Sequence, residues 1–101
     1  MRKRTEKGSG ALYETILRLR DLDECRRFFQ DLCTPIELRS MEQRFEVAVY
    51  LKRGMPYSEI LSRTGSSSAT VSRVRRSLLE GGAGGVMEEI LDRENPDIDS
   101  A

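Results

Sequence analysis

Histidine is absent from this chain, cysteine occurs only twice, and no apolar run approaches the ~20 residues a helix needs to cross a bilayer. Each absence removes a class of function. Without histidine, Cys25 and Cys33 cannot complete a four-ligand zinc site, so they read as two buried thiols in a reducing cytoplasm. The missing imidazole also removes the commonest general base. There is no P-loop and no nucleophile beside a plausible base, and Glu88 and Glu89, being adjacent, diverge on a helix. The chain is therefore expected not to be an enzyme, and neither a metal nor a cofactor is expected. Its basic start runs into Gly-Ser-Gly rather than a signal-peptide core, so a soluble, cytoplasmic protein with no membrane partner is expected.

A surplus of one charge is lacking as well. Seventeen basic residues balance seventeen acidic ones, so the question of an anionic partner must be put locally. Residues 1–10 carry Arg2, Lys3, Arg4 and Lys7 against Glu6 alone. From Arg63 to Leu79 there are Arg63, Arg73, Arg75 and Arg76 and no carboxylate. The acids gather at the other end, where Glu88, Glu89, Asp92, Glu94, Asp97 and Asp99 face only Arg93.

The chain's length of 101 residues fits one domain, whose lone core leaves much surface uncovered, so burial shared with a second copy is plausible. Residues 1–10 have no apolar side chain beyond Met1 and read as a disordered basic arm. Leu12, Ile16 and Leu19, with Tyr13 and Leu17, recur at helical spacing and predict a first helix ending near Asp21 to Asp23. A carboxylate there can cap a second helix whose face is Cys25, Phe28, Phe29 and Leu32. Thr34, Pro35 and Glu37 then spell a capping box, and Gly54 closes the long helix that follows. Six of the seven residues 45–51 in that helix, FEVAVYL, are apolar, which leaves no polar face. Such a helix is enclosed on all sides, and two intertwined copies would supply the enclosure. Pro56 opens a short helix closed by Gly65, a further helix runs from Ser68 to Glu80, and GGAGG (81–85) separates it from a last amphipathic helix near 86–93. Asn95-Pro96 begins an acidic tail, residues 94–101, expected to be disordered. No strand shows convincing alternation, so the fold class is all-α.

Two short helices joined at a glycine, over about residues 56–80, have the outline of a helix-turn-helix, in which the second helix lies in the major groove. Spacing turns Ile60, Leu61, Val71 and Val74 inward. That leaves Ser67, Ser68, Ala69, Ser72 and Arg73 at the exposed front, with Arg76 one turn beyond Ser72, while Ser66, Ser67 and Ser68 are the candidate caps. Small hydroxyl residues allow close approach to base edges, and arginine bridges guanine or grips phosphate. The candidate DNA-binding residues are thus Ser66, Ser67, Ser68, Ala69, Ser72, Arg73 and Arg76. The basic arm is a further candidate for a neighbouring groove.

The order of LCTPIELRS, a central helix ending in Arg-Gly, and SSSATVSRVRRSL with GGVMEEIL after it resembles the Trp repressor superfamily, nearest its YerC/YecD branch. The resemblance covers roughly residues 11–93. It implies a six-helix, intertwined homodimer acting as a transcriptional repressor on a palindromic double-stranded DNA operator. It also implies a small-molecule effector site in which Thr34 and Arg73 hold a carboxylate, Arg44 stacks on a ring and Ser77 binds an amino group. In the tryptophan-binding members a glycine follows the recognition arginine; Val74 stands there instead, which argues against tryptophan as effector. The turn between Gly54 and Gly65 is one residue shorter than in the Trp repressor, so phosphate contacts of the first reading helix do not carry over. The alternative reading is a protein-interaction adaptor that uses the same helix pair, with Arg75 and Arg76 meeting an acidic partner.

Overall fold

The computed structural model describes residues 10–79, 85–94, 96 and 98. Among them are six helices and no strand: α1 Ala11–Ile16, α2 Leu22–Leu32, α3 Pro35–Lys52, α4 Tyr57–Thr64, α5 Ser68–Leu79 and α6 Val86–Arg93. The all-α fold expected from the sequence is the one observed. The expected disordered arm, apart from Gly10, and most of the acidic tail lie outside the described residues. The chain groups into two compact units, Met1–Leu38 and Arg39–Ala101.

In the first unit α1 is shorter than its apolar spacing predicts, because the next helix claims the chain. After Ile16 the amide groups of Arg18 and Leu19 fall back to three-residue bonds, on Thr15 and Ile16 carbonyls at 3.0 and 3.1 Å. The Arg20 amide then donates to Glu24 Oε1 at 2.9 Å, and Asp21 accepts from the Glu24 amide at 2.8 Å to cap α2. One carboxylate at each end of this exchange satisfies amide groups that another turn of α1 would have used. No residue of α1 or α2 is buried. Phe28 and Phe29 pack edge to face at 5.3 Å between ring centroids. Cys25 and Cys33, expected to be buried, are half-buried free thiols. At the end of this unit the capping box is complete: the Thr34 amide donates to Glu37 Oε1 at 2.8 Å, and the Glu37 amide donates to Thr34 Oγ1 at 3.1 Å.

In the second unit the last two turns of α3 form the centre. Val47, Ala48, Val49 and Tyr50 are buried in succession, and Ile60 of α4, Val71, Val74 and Leu78 of α5 and Leu91 of α6 close around them. Three short helices of the same chain thus enclose these four residues, while Phe45 of the same apolar run stays 40% exposed. The reason is geometric: short helices cross a central one at several angles, so four successive residues can be covered without a partner. Gly54, at φ 79°, ends α3, its amide bonding the Leu51 carbonyl at 3.0 Å while the Met55 amide bonds Tyr50 at 3.1 Å. That pair of bonds satisfies carbonyls the helix end would otherwise leave open. Lys52 Nζ holds α6 to α3 by bonding Asp92 and standing 3.9 Å from Glu88.

Candidate nucleic-acid interface

Residues 65–67 join α4 to α5. Gly65 makes the reversal at φ 69°, a backbone region that side chains with a Cβ avoid, and its amide bonds the Leu61 carbonyl at 3.0 Å. The turn is tied from both sides. Thr64 Oγ1 donates to the Ile60 carbonyl at 2.8 Å and accepts from the Ser66 amide at 3.2 Å. From α3, the Gln43 side-chain amide donates to the Thr64 carbonyl at 2.9 Å. Ser67 is the cap of α5: its Oγ accepts from the Thr70 amide at 3.1 Å, and its carbonyl accepts from Val71 at 3.1 Å.

This frame fixes which way α5 faces. Ile60 and Val71 are fully buried, Val74 is buried and Leu61 is half-buried, as the spacing requires. Ser67, Ser68, Ala69, Ser72, Arg73 and Arg76 are all exposed. Ser66 differs from the other six expected residues: it is half-buried, and its hydroxyl lies 3.0 Å from Thr64 Oγ1 within the turn. Ser67 also spends its oxygen on the cap. The open small-residue surface is therefore Ser68, Ala69 and Ser72.

Charge on this face is likewise uneven. Helix α5 has no acidic residue, and Arg73, Arg75 and Arg76 meet no acidic partner among the described residues. Arg63, counted with them in the acid-free stretch, is engaged elsewhere. Its Nε donates to Glu59 at 3.2 Å, and its guanidinium stands 5.8 Å from the centre of the Tyr50 ring. Hydrogen bonding to Tyr50, with Glu59 beside it, raises the Arg63 pKa above its ordinary range. Two other exposed pairs are local, each four residues apart: Arg27 with Asp23 along α2, and Arg20, just before α2, with Glu24.

Beside the exposed front of α5 is a cavity of about 330 Å³, walled by Met41, Arg44 and Phe45 of α3, Thr70, Arg73, Val74 and Ser77 of α5, and Met87 of α6. It lies at the lower end of the range for small-molecule sites. Three of the four residues expected around an effector, Arg44, Arg73 and Ser77, thus line one cavity, and Val74 occupies part of its wall. Thr34 belongs to the first unit, where its oxygen is an acceptor in the capping box. Sequence spacing missed Gln43, Thr64 and Met87. Nothing local in the sequence links Gln43 to a carbonyl 21 residues away.

The family model described as Trp repressor protein matches residues 8–95. YerC of Bacillus subtilis (strain 168), an uncharacterized protein, is 50% identical over 82 residues, covering 81% of this chain and 77% of YerC. A solved TrpR-like protein from Eubacterium eligens is 46% identical with a TM-score of 0.74, over 81% of this chain and 82% of that one. A solved candidate Trp repressor from Staphylococcus aureus is 44% identical with a TM-score of 0.76, over 83% of this chain and 82% of that one.

Proposed function

The chain belongs to the Trp repressor protein family, and from that premise we propose that it is a sequence-specific, DNA-binding transcriptional regulator of the repressor type, acting as a homodimer. Helix α5 enters the major groove of a duplex operator, with Ser68, Ala69 and Ser72 at the base edges and Arg73 and Arg76 on guanine or phosphate. The observation that carries this reading is the exposed, acid-free front of α5, whose arginines have no acidic partner among the described residues while Ile60, Val71 and Val74 anchor its back. A solvated helix face has no need of that combination; a groove does. Ser66 acts by holding the turn, not by touching DNA.

A small effector occupies the cavity between α3 and α5. Arg73 holds an acidic group there, Arg44 covers an apolar or planar body, and Ser77 supplies a hydroxyl. The Thr34 oxygen already serves its helix cap, and Val74 takes the space an indole would need, so the effector is not tryptophan. Met41, Phe45 and Met87 in the wall are 38%, 40% and 42% exposed in a single chain, which favours a second copy closing the site.

Selection from a random duplex pool, at stated salt and with the oligomer mass measured alongside, tests this directly. A preferred sequence with two half-sites about one helical turn apart is expected. Affinity is expected to fall steeply with salt. Arg73→Ala is expected to lose the sequence preference, and an unchanged preference in that variant would sink the assignment. A pool with no enriched sequence, beside clean capture of a protein partner by α5, would favour the adaptor reading.

A further inference from the structure

The DNA-binding reading accounts for only part of the circumference of α5. Val71, Val74 and Leu78 are buried at its back. Thr70, Arg73, Val74 and Ser77 wall the cavity on one flank, and Ala69 and Arg76 are exposed at the front. Ser68, Ser72 and Arg75, four and then three residues apart, form a second flank on the side away from the cavity, and they too are exposed. At 3.6 residues per turn Arg75 stands roughly 160° around the helix from Arg73.

Arg75 differs from the cations elsewhere in the chain that have a carboxylate beside them. Arg20, Arg27 and Arg63 are each paired with an acid four residues away. Around Arg75 the positions three and four residues away are Val71, Ser72, Leu78 and Leu79, so no such pair can form along the helix. It meets no acidic partner among the described residues.

The dimensions of the groove give this flank a use. A helix with its side chains is about 10–12 Å across, and the major groove is about 12 Å wide. When the front of such a helix meets the base edges, its flanks meet the phosphate walls. Long side chains on a helix lean toward its N-terminus. In that direction this flank carries the short side chains of Ser72 and Ser68, which leave room for a guanidinium to extend toward a phosphate.

We propose that Arg75 is a phosphate anchor, gripping the DNA backbone on the groove wall away from the cavity and fixing the depth of α5 without reading sequence. The inference rests on the DNA-binding reading above and adds a residue that reading leaves out. Because a phosphate is present at every base step, the contact strengthens binding to any duplex alike.

The test measures binding of the unaltered protein, Arg75→Ala and Arg75→Lys to two duplexes of equal length, the sequence enriched by selection and a scrambled one, across a range of salt. Arg75→Ala is expected to weaken binding about tenfold on both duplexes. Its plot of log affinity against log salt is expected to be shallower by about one unit per half-site, with the same preferred sequence. Arg75→Lys is expected to restore most of the affinity, since a point charge serves a phosphate. Unaltered affinity and salt slope in Arg75→Ala would overturn the anchor. So would a changed preferred sequence, or a loss confined to the enriched duplex, either of which would make Arg75 a base reader. A lower oligomer mass or urea midpoint alongside weaker binding would overturn it in favour of a role at a subunit contact or in the fold. Failure of the unaltered protein to bind either duplex would overturn the DNA-binding reading itself, and the anchor with it.

Discussion

At the scale of single residues, α5 is oriented by groups that lie outside its exposed front. Gln43 and Thr64 hold the turn, and the Ser67 oxygen starts α5. Gly65, Ser67, Val71 and Val74 were legible in the sequence because each acts on its own helix or turn, where spacing and backbone chemistry decide. The Gln43 to Thr64 bond was not, since it depends on α3 passing beside the turn. Replacing Gln43 by alanine strands a half-buried carbonyl, and is expected to cost about 1 kcal/mol of stability. Urea unfolding measures it, and a midpoint equal to that of the unaltered protein would count against the clamp. Arg63 carries the opposite lesson. Its sequence neighbourhood marked it as free, yet Glu59, one turn earlier, neutralises it.

At the scale of elements, the caps decide where helices begin and end. The capping box of α3 was readable from Thr34, Pro35 and Glu37, whereas the early end of α1 was not. Apolar spacing continued past Ile16, and the stronger claim of Asp21 and Glu24 on nearby amides won. Hydrogen bonds from the Thr34 amide and hydroxyl hold the Glu37 carboxyl below its ordinary value of 4.5. A depressed folded-state pKa contributes stability that is present above the unfolded value and lost as pH falls through the folded one. The start of α3 is therefore expected to loosen as pH drops below 4.5. In Glu37→Gln that part of the acid sensitivity should vanish, which urea midpoints across the acid range can check. Lys52 behaves in the reverse sense: its bond to Asp92 raises its pKa above 10.5, so this tie to α6 weakens only as pH rises beyond that value.

At the scale of the molecule, the exposed apolar residues point to a partner. Leu17 is 84% exposed, Ile36 82% and Tyr13 69%, and α1 and α2 bury nothing within the chain. Surfaces of that kind mark interaction sites on soluble proteins. The proposed homodimer is expected to sediment at twice the 11.5 kDa chain mass, and Ile36→Asp is expected to shift it toward the monomer. A monomer at all concentrations would remove the dimer from the proposal. The apolar run of α3 was a sound reason to expect enclosure: α4, α5 and α6 cover Val47, Ala48, Val49 and Tyr50 within one chain, while Phe45 of the same run is left 40% exposed.

The sequence by itself determined the helix class, the glycine-marked turn and the face that α5 presents, because helical period, caps and positive φ are local physics acting over a few residues. Tertiary structure alone decided which arginines lack acidic partners among the described residues, what clamps the turn, which side chains meet in the cavity beside Val74, and where Pro96 and Ile98 return. Those outcomes depend on contacts between residues far apart in the chain, and no local pattern encodes which distant group will arrive. The opposite charge of α5 and the C-terminal segment was visible from the start; the attachment of that segment to the end of α3 became visible only in three dimensions.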